Sequence, residues 1–121
     1  MGTFAISVDI AKPSDRPRFR RIPRILVDTG AEMTWIAGDV LQKLGITVRK
    51  TFIMANGQQV TRDTGYVIVR SGEFETVDEV VFAQAGDLQL LGARTLEGFN
   101  AFVDSRRKRL LAAGAMPAAR A

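Results

Sequence analysis

Apolar and polar positions alternate along much of this chain with a period of two. Phe4, Ile6, Val8 and Ile10 are separated by small or polar residues, which predicts a half-buried strand. Residues 11–17 hold two prolines, a serine and an aspartate and read as a turn. From Phe19 the chain returns as a second strand, ending in the continuous apolar run Ile25-Leu26-Val27, which reads as fully buried. Asp28-Thr29-Gly30-Ala31 interrupts that run, and an apolar pattern resumes from Met33 to Ile36.

Asp39 is placed to cap a short helix over Val40 to Leu44, with Gly45 at its left-handed end. Phe52 to Ala55 and Val60 to Val69 are strand-like, and Asn56-Gly57 between them is a strong hairpin signal. Ser71-Gly72 marks a further turn, and Val77 to Ala83 a further strand. Ala85-Gly86-Asp87 reads as a loop, Leu88 to Leu91 as a short buried run stopped by Gly92, and Ala93 to Gly98 as one or two helical turns. Phe102-Val103 and Leu110-Leu111 bracket a basic turn and predict a last hairpin. The Ala-rich residues 112–121 have no periodic face and are expected to fray. Strands at short, regular spacing favour a closed barrel or a sandwich. One internal echo stands out: Ile25-Leu26-Val27 entering Asp28-Thr29-Gly30, and Leu88-Gln89-Leu90-Leu91 entering Gly92, are each a buried strand stopped by a glycine-containing turn.

The chain has 121 residues, which fits one domain, and 46% hydrophobic residues, which suits a globular one. It contains no cysteine and no histidine. Disulfides, thiolate metal sites and all histidine-based catalysis are therefore excluded. No cofactor and no metal are expected, and any chemistry must rest on carboxylates, lysine, tyrosine or hydroxyls. No apolar run approaches the ~20 residues needed to span a bilayer. The opening residues do not read as a signal peptide, so a cytoplasmic protein is expected. The net charge of +4 is unevenly spread. Basic residues crowd residues 1–24 and 100–121, while the middle is acidic. Basic ends can engage nucleic acid, but no aromatic residue is interleaved in Arg106-Arg107-Lys108-Arg109 to stack on bases. A solvated turn is the preferred reading there, and no nucleic-acid partner is expected.

An acid directly after three large apolar residues is unusual, because a buried carboxylate is costly unless paired or hydrogen-bonded. At Asp28 the following Thr29 offers a hydroxyl, Gly30 permits a sharp turn, and Ala31 leaves space. An acid presented in this way is a catalytic candidate.

The segment Ile25-Leu26-Val27-Asp28-Thr29-Gly30-Ala31-Glu32-Met33-Thr34 resembles the active-site segment of the retropepsin-like aspartic proteases. Ala55-Asn56-Gly57-Gln58 stands where those proteases carry their flap, and Leu90-Leu91-Gly92 resembles their second hydrophobic-hydrophobic-glycine segment, followed by a short helix. The bacterial (clan AA) branch is similar over roughly residues 3–111, with four motifs in the same order. The resemblance implies an all-β, closed acid-protease barrel with short helices over residues 1–111 and a tail over 112–121. It implies one lobe per chain, active as a two-fold homodimer on peptide or protein substrates. Asp28 would be catalytic, with Thr29, Gly30 and Ala31 supporting it. Thr29 would lock the two turns together across the axis. Glu32, the hairpin residues Ala55, Asn56, Gly57 and Gln58, and Leu90 would meet substrate. Residues 100–111 would contribute to the dimer interface.

Several residues compete with this assignment. Asp63-Thr64-Gly65 repeats the tripeptide but follows no buried run, and reads as a solvent-facing strand segment. Glu32 replaces an aspartate found in many retroviral relatives, and Arg94 is its candidate partner. Trp35 could line a pocket, but a lone tryptophan on a strand is more often core. A non-catalytic dimerisation or binding module on the same barrel is the alternative to an endopeptidase.

Overall fold

The computed structural model describes residues 4–114. Strands β1 (Ala5–Ala11), β2 (Arg20–Val27), β3 (Trp35–Ala37), β4 (Arg49–Ala55), β5 (Gln58–Ser71), β6 (Phe74–Ala83) and β7 (Leu90–Leu91) form one sheet in the order β1-β2-β7-β3-β6-β5-β4. A further antiparallel pairing, Asp9 with Arg70 through Ala11 with Ile68, joins β1 to β5. Six strands thus close into a ring, and β4 stands outside it as an edge. Closure removes most of the exposed backbone edge that an open sheet would carry. Helices α1 (Gly38–Lys43) and α2 (Ala93–Phe99) are short, and β8 (Ala101–Asp104) pairs with β9 (Arg109–Ala112) in a separate ribbon.

The period-two pattern is what buries the core. Val8 and Ile10, Ile25 and Val27, Val67 and Val69, and Val80 and Phe82 point inward from their strands, and Ile36, Leu41, Leu91 and Phe99 are among the residues that join them in the cluster. The first hairpin has a register shift between Ile6 and Val8, so its pairing is not continuous.

The expected hairpin at Asn56-Gly57 is present. Ala55 pairs with Gln58, so the loop has two residues, and both have positive φ, +52° and +75°. That is the geometry whose twist matches antiparallel strands. Strand β5 runs beyond the expected Val60–Val69 at both ends. It leaves the hairpin, crosses the body and pairs in turn with β4, β6 and β1. Strand β6 begins at Phe74 rather than Val77, because Ser71 and Phe74 pair directly across Gly72-Glu73. Phe74 also stacks on Phe99, with ring centroids 5.7 Å apart.

Two expectations need correction. Asp39 does not cap α1 from outside. The helix begins at Gly38, its N-cap position is Ala37, and Asp39 sits in the first turn, accepting the amide of Val40 at 2.9 Å. Gly45 does adopt the left-handed conformation past the helix end, at φ +73°. Asp63-Thr64-Gly65 is a strand segment but not a solvent-facing one. Thr64 is buried and donates to Glu79 at 2.8 Å, while Ile46 and the Thr47 carbonyl occupy the space a Cβ on Gly65 would need. Only Asp63 faces outward, paired with Lys50 at 2.7 Å. The tripeptide there serves packing.

The last hairpin forms around the basic run, although Arg109 belongs to β9 and only Arg106, Arg107 and Lys108 lie in the turn. Strand β9 includes Ala112, and the amide of Ala113 donates to the carbonyl of Asn100 at 2.9 Å. Of the expected tail, residues 115–121 lie outside the described residues.

Candidate active site

Strands β2 and β7 run parallel and side by side, Leu26 opposite Leu90 and Val27 opposite Leu91. The internal echo in the sequence is therefore a physical pairing, but the second strand is shorter than expected: Leu88 is exposed, and of the run Leu88–Leu91 only Leu90-Leu91 is strand and only Leu91 is fully buried. Where β2 ends, the amide of Asp28 continues the ladder by donating to the carbonyl of Leu91 at 3.0 Å. The chain then turns. The Ala31 amide donates to the Asp28 carbonyl at 3.2 Å, and the Gly30 amide donates to Asp28 Oδ1 at 2.9 Å. One carboxylate oxygen is thus held by the turn's own backbone. Asp28 is half-buried, and Thr29 and Gly30 are exposed. The turn presents Asp28 at a surface, where a second group can reach it.

Below the turn the fit is close. The amide of Ala93 donates to the Ala31 carbonyl at 2.7 Å, and that of Arg94 to the Glu32 carbonyl at 3.0 Å. The first turn of α2 thereby fixes the backbone after Asp28. Gly92 lies directly beneath, and a Cβ there would enter the Met33 carbonyl. This close approach is why the second motif needs its glycine.

Leu90 is half-buried between Leu26 and Trp35 across its two neighbouring strands. Glu32 is exposed. Its expected ion pair with Arg94 is not formed: the Arg94 guanidinium lies 3.8 Å from Asp78, and the two residues meet only through backbone. Trp35 is buried, as the core reading expects, with the Arg62 guanidinium 6.0 Å from its ring centroid.

The hairpin residues Ala55, Asn56, Gly57 and Gln58 sit at the tip of β4–β5, away from the Asp28 hydrogen-bond network. Arg62 ties the β5 strand of the hairpin to β3 and to residues 84–89. It stacks over Trp35, one residue beyond Thr34, and makes two hydrogen bonds to Asp87, at 2.9 and 3.1 Å. These bonds hold the Asp87 carboxyl below its ordinary range, helped by the Gln84 amide and opposed by burial. Between β3, α1 and residues 84–89 lies an open cavity of about 650 Å³ lined by Gly38, Gln42, Asp63, Gln84 and Gln89 among others. Asp28 does not line it. A single chain offers its candidate acid on an open face.

Sequence reading missed the buried polar group beneath the turn. Thr34 and Thr95 share a 2.6 Å hydrogen bond, Gly92 donates to Thr34 at 3.0 Å, and Thr95 donates to Asp78 at 2.8 Å. The one available signal was two adjacent acids, Asp78-Glu79, inside an apolar strand.

A sequence profile described as gag-polyprotein putative aspartyl protease matches residues 21–98, which contain both glycine-stopped strands and the hairpin. No curated protein matches the chain. Among solved structures, the EIAV protease in complex with an inhibitor superposes with a TM-score of 0.55 at 22% identity, over 77% of this chain and 84% of the viral one. The shared ring of strands, one lobe per chain, is the fold of a retroviral protease. On the extent of the profile match, with Asp28-Thr29-Gly30 at the end of its core strand, the chain belongs to the retropepsin-like aspartyl protease family.

Proposed function

We propose that this chain is an aspartic endopeptidase, active as a two-fold homodimer in which two copies of Asp28 face each other. The observation that carries the reading is the turn: one oxygen of Asp28 is held by the Gly30 amide, and the group is presented at an open face. One chain supplies one such acid, and a two-fold axis supplies the second. Two carboxylates at close range cannot both ionise readily, so the pair shares a proton. The ionised member activates water, while the protonated member polarises the scissile carbonyl and then protonates the leaving amine. Exposed Thr29 is free to reach across the axis. Gly30, Ala31, Glu32 and Leu90 form the floor for an extended peptide, and the Ala55–Gln58 tip closes over it.

The second copy is expected to dock along the β8–β9 ribbon. Phe102 and Leu111 are directly opposite each other in the register, and 62% and 37% exposed in the single chain. Among the basic residues of 1–24, Arg21 pairs with Asp9 at 3.0 Å. No aromatic residue is interleaved in the Arg106–Arg109 run to stack on bases, which favours a peptide over nucleic acid as partner.

The test incubates the native chain and Asp28→Asn with a mixed peptide library at mildly acidic pH, with sedimentation run in parallel. Cleavage by the native dimer that is lost in the variant supports the peptidase. A stable dimer that cleaves nothing leaves the fold as a binding module and ends the proposal.

A further inference from the structure

We infer that Asp78 is a positioning residue for the turn carrying Asp28, acting through Thr95, Thr34 and Gly92. Its catalytic consequence rests on the peptidase reading; its structural consequence does not.

Each threonine hydroxyl has one proton to give, and that fixes the direction of every bond in the group. Thr95 gives its proton to Asp78 Oδ2 at 2.8 Å. The Thr95 oxygen is then the acceptor in its 2.6 Å contact with Thr34, so Thr34 is the donor there. With its proton committed, the Thr34 oxygen accepts the amide of Gly92 at 3.0 Å. The chain runs one way only, from the Gly92 amide to a carboxylate on β6. Both threonines have no exposed surface, and Asp78 is 9% exposed. Water therefore does not compete, and each bond acts in a medium where it is strong and where its loss is costly.

The carboxylate is itself fixed from the other side. Its Oδ1 accepts the Glu79 amide at 2.8 Å and faces Arg94 at 3.8 Å. An anchor so held can orient what hangs from it. What hangs from it is the peptide at Gly92. On one side Leu91 offers the carbonyl that receives the Asp28 amide; on the other Ala93 gives its amide to Ala31. These are the two ends of the catalytic turn. The Leu91 carbonyl shares its peptide plane with the Gly92 amide, so a rotation of that plane would move the contact to Asp28 directly and disturb the Ala93 amide that follows; no side chain at Gly92 could brace it, because a Cβ has no room. The hydroxyl chain supplies the brace instead. A buried carboxylate kept for stability alone would be a poor choice, since apolar replacements of similar volume are often as stable.

The test uses the full chain, Thr95→Val and Thr95→Ser, with two readouts. The first is amide hydrogen exchange at Asp28 and Gly92, compared with Val67 and Val69 in β5. The second is kcat and KM for peptide cleavage per folded dimer. Thr95→Val is expected to speed exchange at Asp28 and Gly92 by about ten-fold beyond any change in β5. It is expected to lower kcat by roughly ten-fold with KM nearly unchanged, since the reacting geometry is disturbed more than peptide binding. Thr95→Ser keeps the hydroxyl and is expected to restore both. If Thr95→Val does not fold, Asp78→Asn carries the same comparison, because one of its two acceptor oxygens becomes a donor. Exchange that rises equally at all four amides, or kcat per folded dimer that does not move while the turn amides stay protected, overturns the inference. If the native chain cleaves nothing, the peptidase reading fails, and the exchange comparison alone decides the positioning role.

Discussion

The amide of Asp28 donates to the carbonyl of Leu91, 3.0 Å away, and so extends by one bond the parallel pairing of two strands that each end in a glycine-containing turn. The candidate acid is therefore placed by secondary structure and not by a free loop. Sites built on rigid elements hold their geometry more closely than sites on loops. The same relationship makes β7, only two residues long, more important than its length suggests.

Gly92→Ala tests how tightly the two turns are stacked. The added methyl has to enter the Met33 carbonyl and also crowds the Ala31 carbonyl, both of them backbone atoms. Backbone cannot swing aside as a side chain can. The variant is expected to lose about 3 kcal/mol of stability, at the upper end of overpacking costs. Urea denaturation of the two proteins measures it. A loss under ~0.5 kcal/mol would mean that the segments are not in contact as described.

Gly57→Ala tests the hairpin. Gly57 has φ +75°, and no atom lies within 4 Å of the point where a Cβ would stand, so the substitution meets conformational strain without a clash. Its cost is expected to be about 1 kcal/mol. In the proposed enzyme the larger effect is on KM, because the tip covers the peptide. Peptide kinetics on the variant separate the two, and a change in stability with unaltered KM would remove the tip from the substrate site.

What sequence could and could not reveal follows from range. Asn56-Gly57, Gly45 and Asp28-Thr29-Gly30 are legible because their conformations depend on residues one or two positions away. The alternation in β1 is legible because burial on one face imposes it, whereas β6 is buried on both faces from Asp78 to Phe82 and reads only as an apolar run. Asp78 and Glu79 were not legible as buried groups. Their partners Thr95, Arg94, Thr64 and Arg49 come from other elements, and only the pairing of β4, β5 and β6 and the packing of α2 on β6 bring them together. The same holds for Arg94: sequence proximity to the glycine motif pointed to Glu32, while the fold turned its guanidinium to Asp78. The second Asp-Thr-Gly reads as solvent-facing because nothing local reveals that Ile46 and Thr47 press against Gly65.

Phe102→Glu tests the proposed pairing of two copies. Phe102 is exposed in the single chain, so a charge there costs the folded subunit little. In a dimer sealed by the Phe102–Leu111 face, the same charge is buried on both sides of the axis. Specific activity at micromolar protein is expected to fall at least about ten-fold and to recover as concentration rises, with a monomer in sedimentation. A variant that stays dimeric and fully active would place the interface elsewhere.

Arg62→Met tests the clamp between the hairpin and the body. In the native fold, hydrogen bonds from Arg62 are the main reason the Asp87 carboxyl is held below its ordinary value of 3.8. A carboxyl with a lowered folded value binds its proton more readily in the unfolded chain. Its contribution to stability is therefore complete above the ordinary value and is lost as pH falls through the lowered one. Both side chains are about four-fifths covered, at 18% and 19% exposure, so screening by solvent is incomplete. Removing the guanidinium while keeping the stem is expected to cost about 1 kcal/mol at neutral pH. It should also flatten the decline of stability as pH falls through and below the ordinary carboxylate value of 3.8. Asp9, lowered in the same way by Arg21, keeps its share of that decline in the variant. Denaturation curves for both proteins across this range decide the matter. Parallel curves, offset but with the same slope against pH, would show that Arg62 braces Trp35 and the hairpin by packing and not through the charge of Asp87.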